Sequence, residues 1–249
     1  MNFLYRFCIT CSVFWALFGP AHAETFTVIA YQNANPPNNI RNLDHINSHS
    51  GIFVDLFARI EQLSSDKFEF RFYPVSRALR EFDQGLVDIE PGIHPSWRQH
   101  RKQPGLYSIE YAKSTEVFLF NQGKRVSIKK PIYLSGKTLG VVRGYVYPIL
   151  TQAFESGLIK RVDNVSEFFL LKQLAANRYD QILIGYDTAL YYMKREPKYK
   201  HFEVGDVVSE LTVHMRIHPS KAYLLERLNP ALQQMVANGD VERIYAKYR

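Results

Sequence analysis

The segment LVDIEPGIHPSWRQHR, at residues 86–101, gathers side chains that could do chemistry directly after a strand-like run. Arg98 carries a guanidinium, which can pair with a carboxylate through two parallel hydrogen bonds and so suits an anionic ligand group. Trp97 offers a flat ring for stacking, and Glu90 could accept hydrogen bonds from a ligand. The segment fits a ligand clamp, a catalytic site, a metal site or an ordinary polar surface loop, and the position of Arg98 favours neither clamp nor surface loop.

Asp187 stands between the buried strand pattern DQILIG and the helical pattern that follows it. A carboxylate at the start of a helix can accept hydrogen bonds from free backbone N–H groups, and spacing alone favours that capping role. The same carboxylate could receive a ligand ammonium at the mouth of a cleft. The two roles are compatible.

Four further residues are candidates for lining a pocket. Gly144, in VVRGYVYP, allows a tight turn between a strand and a helix whose first N–H groups could bind an anion. Its neighbours Arg143 and Tyr145 could line a pocket, pack, or face solvent. Tyr31, at the end of the first strand pattern, could stack on a ligand or belong to the core.

Several familiar metal and reaction motifs are absent from the sequence. It contains no HExxH, GxSxG, P-loop or GxGxxG pattern, and His94 and His100 have no partners at metal-binding spacing. Asp88 and Glu90 stand two apart on one strand, whereas glycoside hydrolysis needs carboxyl groups from separate elements. We therefore expect neither a metal nor a cofactor, and the case for catalysis is thin.

Strand and helix patterns alternate along the chain, which predicts mainly parallel sheets with helices on both faces. The pattern restarts near residue 113, so we expect two α/β lobes, one formed by 24–112 with 209–249 and the other by 113–208. Ligands of open parallel sheets bind beyond the carboxyl ends of the strands. The loops after Tyr31, Glu90 and Val142 should therefore meet at one cleft, beside the turn at Ile184–Asp187.

The first 23 residues are typical of a secretory signal peptide, with one positive charge at Arg6, an apolar run, and AHA before the expected cleavage point. Both cysteines, Cys8 and Cys11, would be removed with it, so no disulfide is expected. The formal net charge is +7, but the positive residues are scattered, and export separates the chain from nucleic acid. These features predict a periplasmic protein with no nucleic-acid partner and no membrane span.

Seven segments follow one another in the order of a known family: AYQNANPP, GIFVDLFARIEQL, PVSRALREFDQGLVDI, WRQHR, LSGKTLGVVRGYVYP, LAANRYDQILIGYDTALYY and LNPALQQMVANGDVERIYAKY. On these segments the chain resembles the bacterial extracellular solute-binding proteins of family 3, periplasmic receptors for amino acids and related small polar molecules. The resemblance implies a fold of two α/β lobes that are joined by two crossing strands and close on a ligand like a hinge.

The resemblance also implies roles for matching residues. Arg98 is similar to the arginine that grips the α-carboxylate of the ligand, Asp187 to the acid that receives its α-ammonium, and Tyr31 to an aromatic residue that covers it. Gly144-Tyr145 stands where a Gly-Thr or similar hydroxyl pair is usual. The run of Ser, Thr and Gly that usually precedes the arginine is also missing. These departures argue against an ordinary α-amino acid as ligand.

The expected function is that of an exported, monomeric, non-enzymatic receptor that delivers a small polar or anionic solute to the permease of an ABC importer. Arg77, Arg98 and Arg143 would favour an anionic ligand if all three face the cleft. One alternative is a dehydratase-like enzyme of the same fold, with Glu90 as the acid. The other is a sensing module that serves a separate membrane partner.

Overall fold

A computed structural model describes residues 23–31, 36–41 and 49–249, so all but the last residue of the expected signal peptide lies outside the described residues. In chain order the elements are β1 (Thr25–Tyr31), β2 (Ile40–Arg41), β3 (His49–Ser50), α1 (Ile52–Ser64), β4 (Lys67–Tyr73), α2 (Val75–Asp83), β5 (Ile89–Ile93), β6 (Leu106–Tyr107), β7 (Ala112–Phe120), β8 (Thr138–Val142), α3 (Thr151–Glu155), β9 (Lys160–Asn164), α4 (Glu167–Ala175), β10 (Gln181–Gly185), α5 (Tyr186–Arg195), β11 (Glu203–Ile217), α6 (Leu225–Ala237) and α7 (Asp240–Ala246). None of the described helices is long and apolar enough to cross a membrane.

The strands form two parallel groups that are joined by two long antiparallel strands. Their order in the sheet is β4-β1-β5-β11-β7-β10-β8-β9, with β6 attached to β11. Strand β1 pairs in parallel with β4 and β5, and β8 pairs in parallel with β9 and β10. Between the groups, β7 and β11 pair from Ala112↔Val213 to Phe120↔Glu203. This arrangement confirms the predicted fold class of two α/β lobes joined by crossing strands.

The second lobe, formed by β8–β10 and α3–α5, is covered on both faces of its sheet. On β7, Val117 and Leu119 belong to the core cluster beneath α4, whereas Phe118 and Phe120 belong to the cluster on the opposite face. Successive side chains of a strand point to opposite faces, so a strand buried on both sides needs an uninterrupted apolar run. That requirement explains the sequence VFLF in β7 and ILI in β10.

The first lobe, formed by β1–β6, α1, α2, α6 and α7, is assembled from both ends of the chain. Helix α1 buries an apolar stripe at three- and four-residue steps, including Phe53, Leu56 and Ile60. This stripe shares one core cluster with Leu228 and Leu232 of α6, which brings the C-terminal helices back to the first lobe as expected.

Strand β11 begins at Glu203, although apolar and polar residues alternate only over residues 211–218 of the sequence. Residues 203–210 contain Gly205, Asp206 and Ser209, which are weak strand formers. Pairing with β7 overrides this local preference, at the cost of register shifts between Val204 and Ser209. The predicted boundary between 208 and 209 therefore falls inside a strand, and the residue limits of the lobes stay a prediction.

Candidate functional site

A cavity lies between the two lobes, beyond the carboxyl ends of β1 and β5. Its empty space, including the open mouth, is about 1040 Å³, enough for a small organic solute. Its wall draws on the first lobe, on β7 and on the second lobe, and includes Tyr31, Asn39, Phe53, Glu90, Trp97, Arg98, Lys113, Glu116, Tyr145, Glu167, Tyr186, Asp187 and Tyr245.

Arg98 lies in this wall with its guanidinium already bound to Glu90. The Nη2 atom of Arg98 donates to Oε1 of Glu90 at 2.7 Å, and Nε donates to Oε2 at 3.2 Å. The hydroxyl of Tyr31 donates to the same carboxylate at 2.6 Å and accepts from Arg98 Nη2 at 3.3 Å. The fourth contact of Arg98 is to the backbone oxygen of Trp97, at 3.1 Å from Nη1. All four of these residues were expected at the site, but the ion pair between Arg98 and Glu90 was not.

Arg216 of β11 binds the other side of Glu90, with Nη1 2.5 Å from Oε2. It is fully buried, donates to the backbone oxygens of Gln103 and Pro104, and stacks over the ring of Phe82 at 3.7 Å. Arg216 was not among the expected site residues, because a polar residue at its position is ordinary in an alternating strand. A register shift between residues 214 and 216 coincides with its burial among apolar neighbours.

The electrostatics of this cluster keep Glu90 ionised. Burial opposes ionisation, but the guanidinia of Arg98 and Arg216 outweigh it and lower the pKa of the Glu90 carboxyl to about 2. The same contacts raise the pKa of Arg98 despite its burial, and burial beside Glu90 raises the pKa of Tyr31. The cluster therefore holds one negative and two positive charges at neutral pH.

Asp187 lies in the first turn of α5 and lines the cavity, with its carboxylate paired to Arg249. The Nε atom of Arg249 is 2.8 Å from Oδ1 of Asp187. The start of α5 is instead held by Glu167, which accepts from the backbone N–H of Gly185 at 2.8 Å and from the hydroxyl of Thr188 at 2.9 Å. The helix-capping role expected of Asp187 is thus taken by a residue of another helix.

Glu116 and Glu167 are two cavity carboxylates that the sequence analysis did not single out. Glu116 accepts a hydrogen bond from Ser209 at 3.0 Å, and burial together with the charge of Glu167 raises the pKa of its carboxyl to about 7. Burial likewise raises the pKa of Glu167. Glu116 follows the polar residues Ser114 and Thr115 and stands directly before the apolar run VFLF of β7, so the sequence offers little signal for a cavity carboxylate there.

Three of the expected site residues do not line the cavity. Arg77 is exposed on α2, where it pairs with Glu81 at 3.2 Å and lies over the ring of Tyr73. Arg143 and Gly144 are exposed at the end of β8, and Gly144 has the positive φ of 83° that its tight turn requires. The expected convergence of three arginines therefore does not occur. The side chain of Arg143 is exposed to solvent, and the segment after Gly144 begins with a short 3₁₀ turn at Pro148–Leu150.

Within the described part of the chain, no group of three or more His, Cys, Asp or Glu residues could hold a metal ion. Of the charged groups in the cavity wall, Arg98, Lys113 and Asp187 each form an ion pair. The wall offers charged groups, hydrogen-bonding groups and aromatic rings to a small molecule.

Comparisons with known proteins agree with this geometry. The sequence profile of the bacterial extracellular solute-binding proteins, family 3, matches residues 27–249. A "Probable histidine-binding protein" of Neisseria gonorrhoeae is 26% identical over 212 residues, which are 83% of this chain and 77% of that protein.

Two solved structures show the same fold. An arginine transport system periplasmic binding protein from Legionella pneumophila superimposes with a TM-score of 0.73 at 22% identity, over 91% of this chain and 100% of that one. A histidine kinase sensor domain with similarity to periplasmic binding proteins gives a TM-score of 0.76 at 19% identity, over 90% and 95% of the two chains.

Proposed function

The chain belongs to the bacterial extracellular solute-binding proteins, family 3, and on that premise we propose that it captures an amino acid or a related small molecule between its two lobes. The relatives named for histidine and arginine binding support a solute of this size. The observation that carries the proposal is the cavity between the lobes, whose wall combines charged groups and aromatic rings from both.

Closure of the lobes is the mechanism that such a wall supports. Tyr31 and Trp97 belong to the first lobe, and Tyr145 and Asp187 to the second. A solute that touches both sets binds the closed arrangement better than an open one, and this difference in affinity drives hinge closure. The crossing strands β7 and β11 are the hinge in this proposal, with the lobes divided as 24–112 plus 209–249 and 113–208.

Binding without conversion is the second part of the proposal. A dehydratase-like mechanism on this fold would use Glu90 as a general acid, which must hold a proton at working pH. The two guanidinia that keep the pKa of the Glu90 carboxyl at about 2 argue against that role. The protein is therefore proposed to be a receptor, not an enzyme.

The family and the N-terminal pattern support a proposal for the cellular setting. We place the protein in the periplasm after removal of residues 1–23, as a monomer that delivers its solute to the permease of an ABC importer. A separate membrane sensor is the alternative recipient, since a kinase sensor domain shares the fold.

A thermal-shift screen followed by calorimetric titration tests the receptor proposal. The purified protein is screened against amino acids, small carboxylates, amines and short peptides. A solute at one hundred times its dissociation constant should stabilise the folded state by about 2.7 kcal/mol. A hit that is recovered unchanged after incubation supports a receptor, whereas a hit that is consumed indicates an enzyme.

The matched variants are Trp97→Ala, in the cavity wall, and Tyr133→Ala, an exposed ring outside it. The first should weaken binding at least ten-fold while the second leaves it unchanged, with circular dichroism confirming that both fold. The proposed site would be contradicted if no solute of the screen binds, or if the two variants change the binding affinity equally.

A further inference from the structure

The hydrogen-bond donors of Arg98 are nearly all engaged inside the protein. A guanidinium has five N–H groups. Those of Arg98 reach Glu90 from Nε and Nη2, the hydroxyl of Tyr31 from Nη2, and the backbone oxygen of Trp97 from Nη1. One N–H of Nη1 has no partner among the described residues. A carboxylate held by two parallel hydrogen bonds needs two. The carboxylate that Arg98 holds is therefore that of Glu90, and the place for a ligand carboxylate is taken.

The second positive charge of this cluster is not available to a ligand either. Arg216 is fully buried, lies outside the cavity wall, and directs its donors to Glu90 and to the backbone oxygens of Gln103 and Pro104. Lys113, the other cation of the wall, is exposed and pairs with Glu210 at 2.6 Å. Among the described residues, both cations of the cavity wall are therefore already paired with a carboxylate of the protein.

Two carboxylates of the cavity wall, by contrast, have no positively charged partner among the described residues. Among the described residues, no lysine, arginine or histidine lies within ion-pairing distance of Glu116 or Glu167, which accept hydrogen bonds only from neutral groups. Glu167 is 8% exposed, so water compensates its charge only in part. A buried carboxylate without a cationic partner is costly, and a positively charged ligand would supply that partner.

Asn39 provides an independent observation that points to the same kind of ligand. This residue lines the cavity and is 3% exposed, yet its side-chain oxygen has no hydrogen-bond partner among the described residues. Buried polar groups are nearly always satisfied, and an unpaired acceptor costs about 1–3 kcal/mol. The missing partner is a donor, such as the N–H of an ammonium or guanidinium group.

The aromatic residues of the wall complete this environment. The rings of Tyr31, Phe53, Trp97, Tyr145 and Tyr186 all line the cavity. Aromatic faces attract organic cations, and they also cover the hydrocarbon part of such a molecule.

Resting on the proposed receptor function, we infer that the solute of this cavity is an organic cation without a carboxylate, an amine or guanidinium compound, rather than an α-amino acid. Its charged group meets Glu116 and Glu167, its N–H groups reach Asn39, and its carbon chain lies among the rings. This charge is the opposite of what three convergent arginines would have selected.

Calorimetric titration with two matched pairs tests the inference: agmatine against L-arginine, and histamine against L-histidine. The members of each pair differ by one carboxylate. At least one amine should bind ten-fold or more tightly than its amino acid. Amino acids that bind as tightly as their amines, or a screen that yields only carboxylates, would overturn the inference and leave the receptor function standing. If no solute of the whole screen binds, the receptor function fails and the inference fails with it.

Variants give a second readout. Glu116→Gln should weaken amine binding at least ten-fold, and Glu69→Gln, an exposed carboxylate of β4 far from the wall, should leave it unchanged. Glu90→Gln should narrow the preference for amine over amino acid, because it loosens the hold on Arg98. If Glu90→Gln does not fold, Glu116→Gln still decides: unchanged amine affinity in that variant contradicts the proposed cation site.

Discussion

At the scale of single residues, the site depends on which charges are paired and which are not. Glu90 is surrounded by two guanidinia and a tyrosine hydroxyl, so it stays ionised in the interior. Among the residues that the structure describes, Glu116 accepts a side-chain hydrogen bond only from the hydroxyl of Ser209, and burial raises the pKa of its carboxyl. Two carboxylates of the same chemistry thus acquire opposite behaviour from their neighbours.

The Glu90 cluster predicts a large loss of stability when its centre is removed. Glu90→Ala leaves Arg98 and Arg216 buried without their counter-charge, which should lower the free energy of unfolding by about 3–5 kcal/mol. The control is Glu69→Ala, which removes an exposed ion pair with Arg71 and should cost less than about 1 kcal/mol. Urea denaturation measures both, and equal losses would show that the buried pair adds nothing.

Glu116 predicts a pH-dependent stability of the ligand-free protein. Its pKa is raised from 4.5 to about 7 on folding, so its contribution is fully present below pH 4.5 and is lost as the pH rises through 7. Glu116→Gln removes this loss. The free energy of unfolding of the variant, relative to that of the wild type, should therefore be about 2 kcal/mol higher at pH 8 than at pH 5.

Urea titrations of the two proteins at both pH values test this prediction. The comparison measures the titration of Glu116 together with its coupling to Glu167, while groups remote from Glu116 are common to both proteins. Stability curves that run parallel from pH 5 to pH 8 would refute the assignment.

At the scale of elements, the strand–helix alternation and the helical stripe of α1 could be predicted because they are local periodicities. The extent of β11 could not, since residues 203–210 become a strand only by pairing with β7. The cavity roles of Glu116 and Glu167 were equally hidden, because a single acid in a strand or at a helix start is ordinary until tertiary packing brings it to the cavity. Residue type alone singled out Trp97 and Arg98, which line the cavity, but gave no sign that the Glu90 carboxylate pairs with Arg98.

The close approach of β5 to α1 at Gly92 predicts that this position does not tolerate a larger side chain. This glycine has a φ of 73°, and a Cβ atom there would lie 2.6 Å from the ring of Phe53 on α1. Gly92→Ala should therefore combine backbone strain with a clash, whereas Gly123→Ala, at a φ of 69° with no neighbour within 4 Å, has the strain alone. We expect Gly92→Ala to be the less stable by about 2 kcal/mol in thermal or urea unfolding. Equal stability of the two would mean that β5 and α1 do not approach so closely.

At the scale of the whole molecule, the C-terminal residue joins the two lobes. Arg249 follows α7 of the first lobe, and it pairs with Asp187 of the second at 2.8 Å. It also pairs with Glu242 at 3.3 Å. The contact occupies a cavity carboxylate that the family resemblance associates with a ligand ammonium.

Arg249→Ala should therefore strengthen binding of an amine several-fold by freeing Asp187, while the free energy of unfolding changes by less than about 1 kcal/mol because the pair is partly exposed. The matched control is Arg243→Ala, because the partner of Arg243, Asp240, lies on the same helix. This variant should leave amine affinity unchanged and should change the free energy of unfolding by less than about 1 kcal/mol. Calorimetry that shows weaker amine binding by Arg249→Ala would mean that the pair organises the site instead of competing for it.

Isothermal titration of the purified protein with the strongest hit of the solute screen tests the central claim most directly. We expect saturable binding of one solute per chain, weakened at least ten-fold in Trp97→Ala and unchanged in Tyr133→Ala. Binding that does not saturate, or that survives Trp97→Ala unchanged, would contradict a receptor site between the lobes.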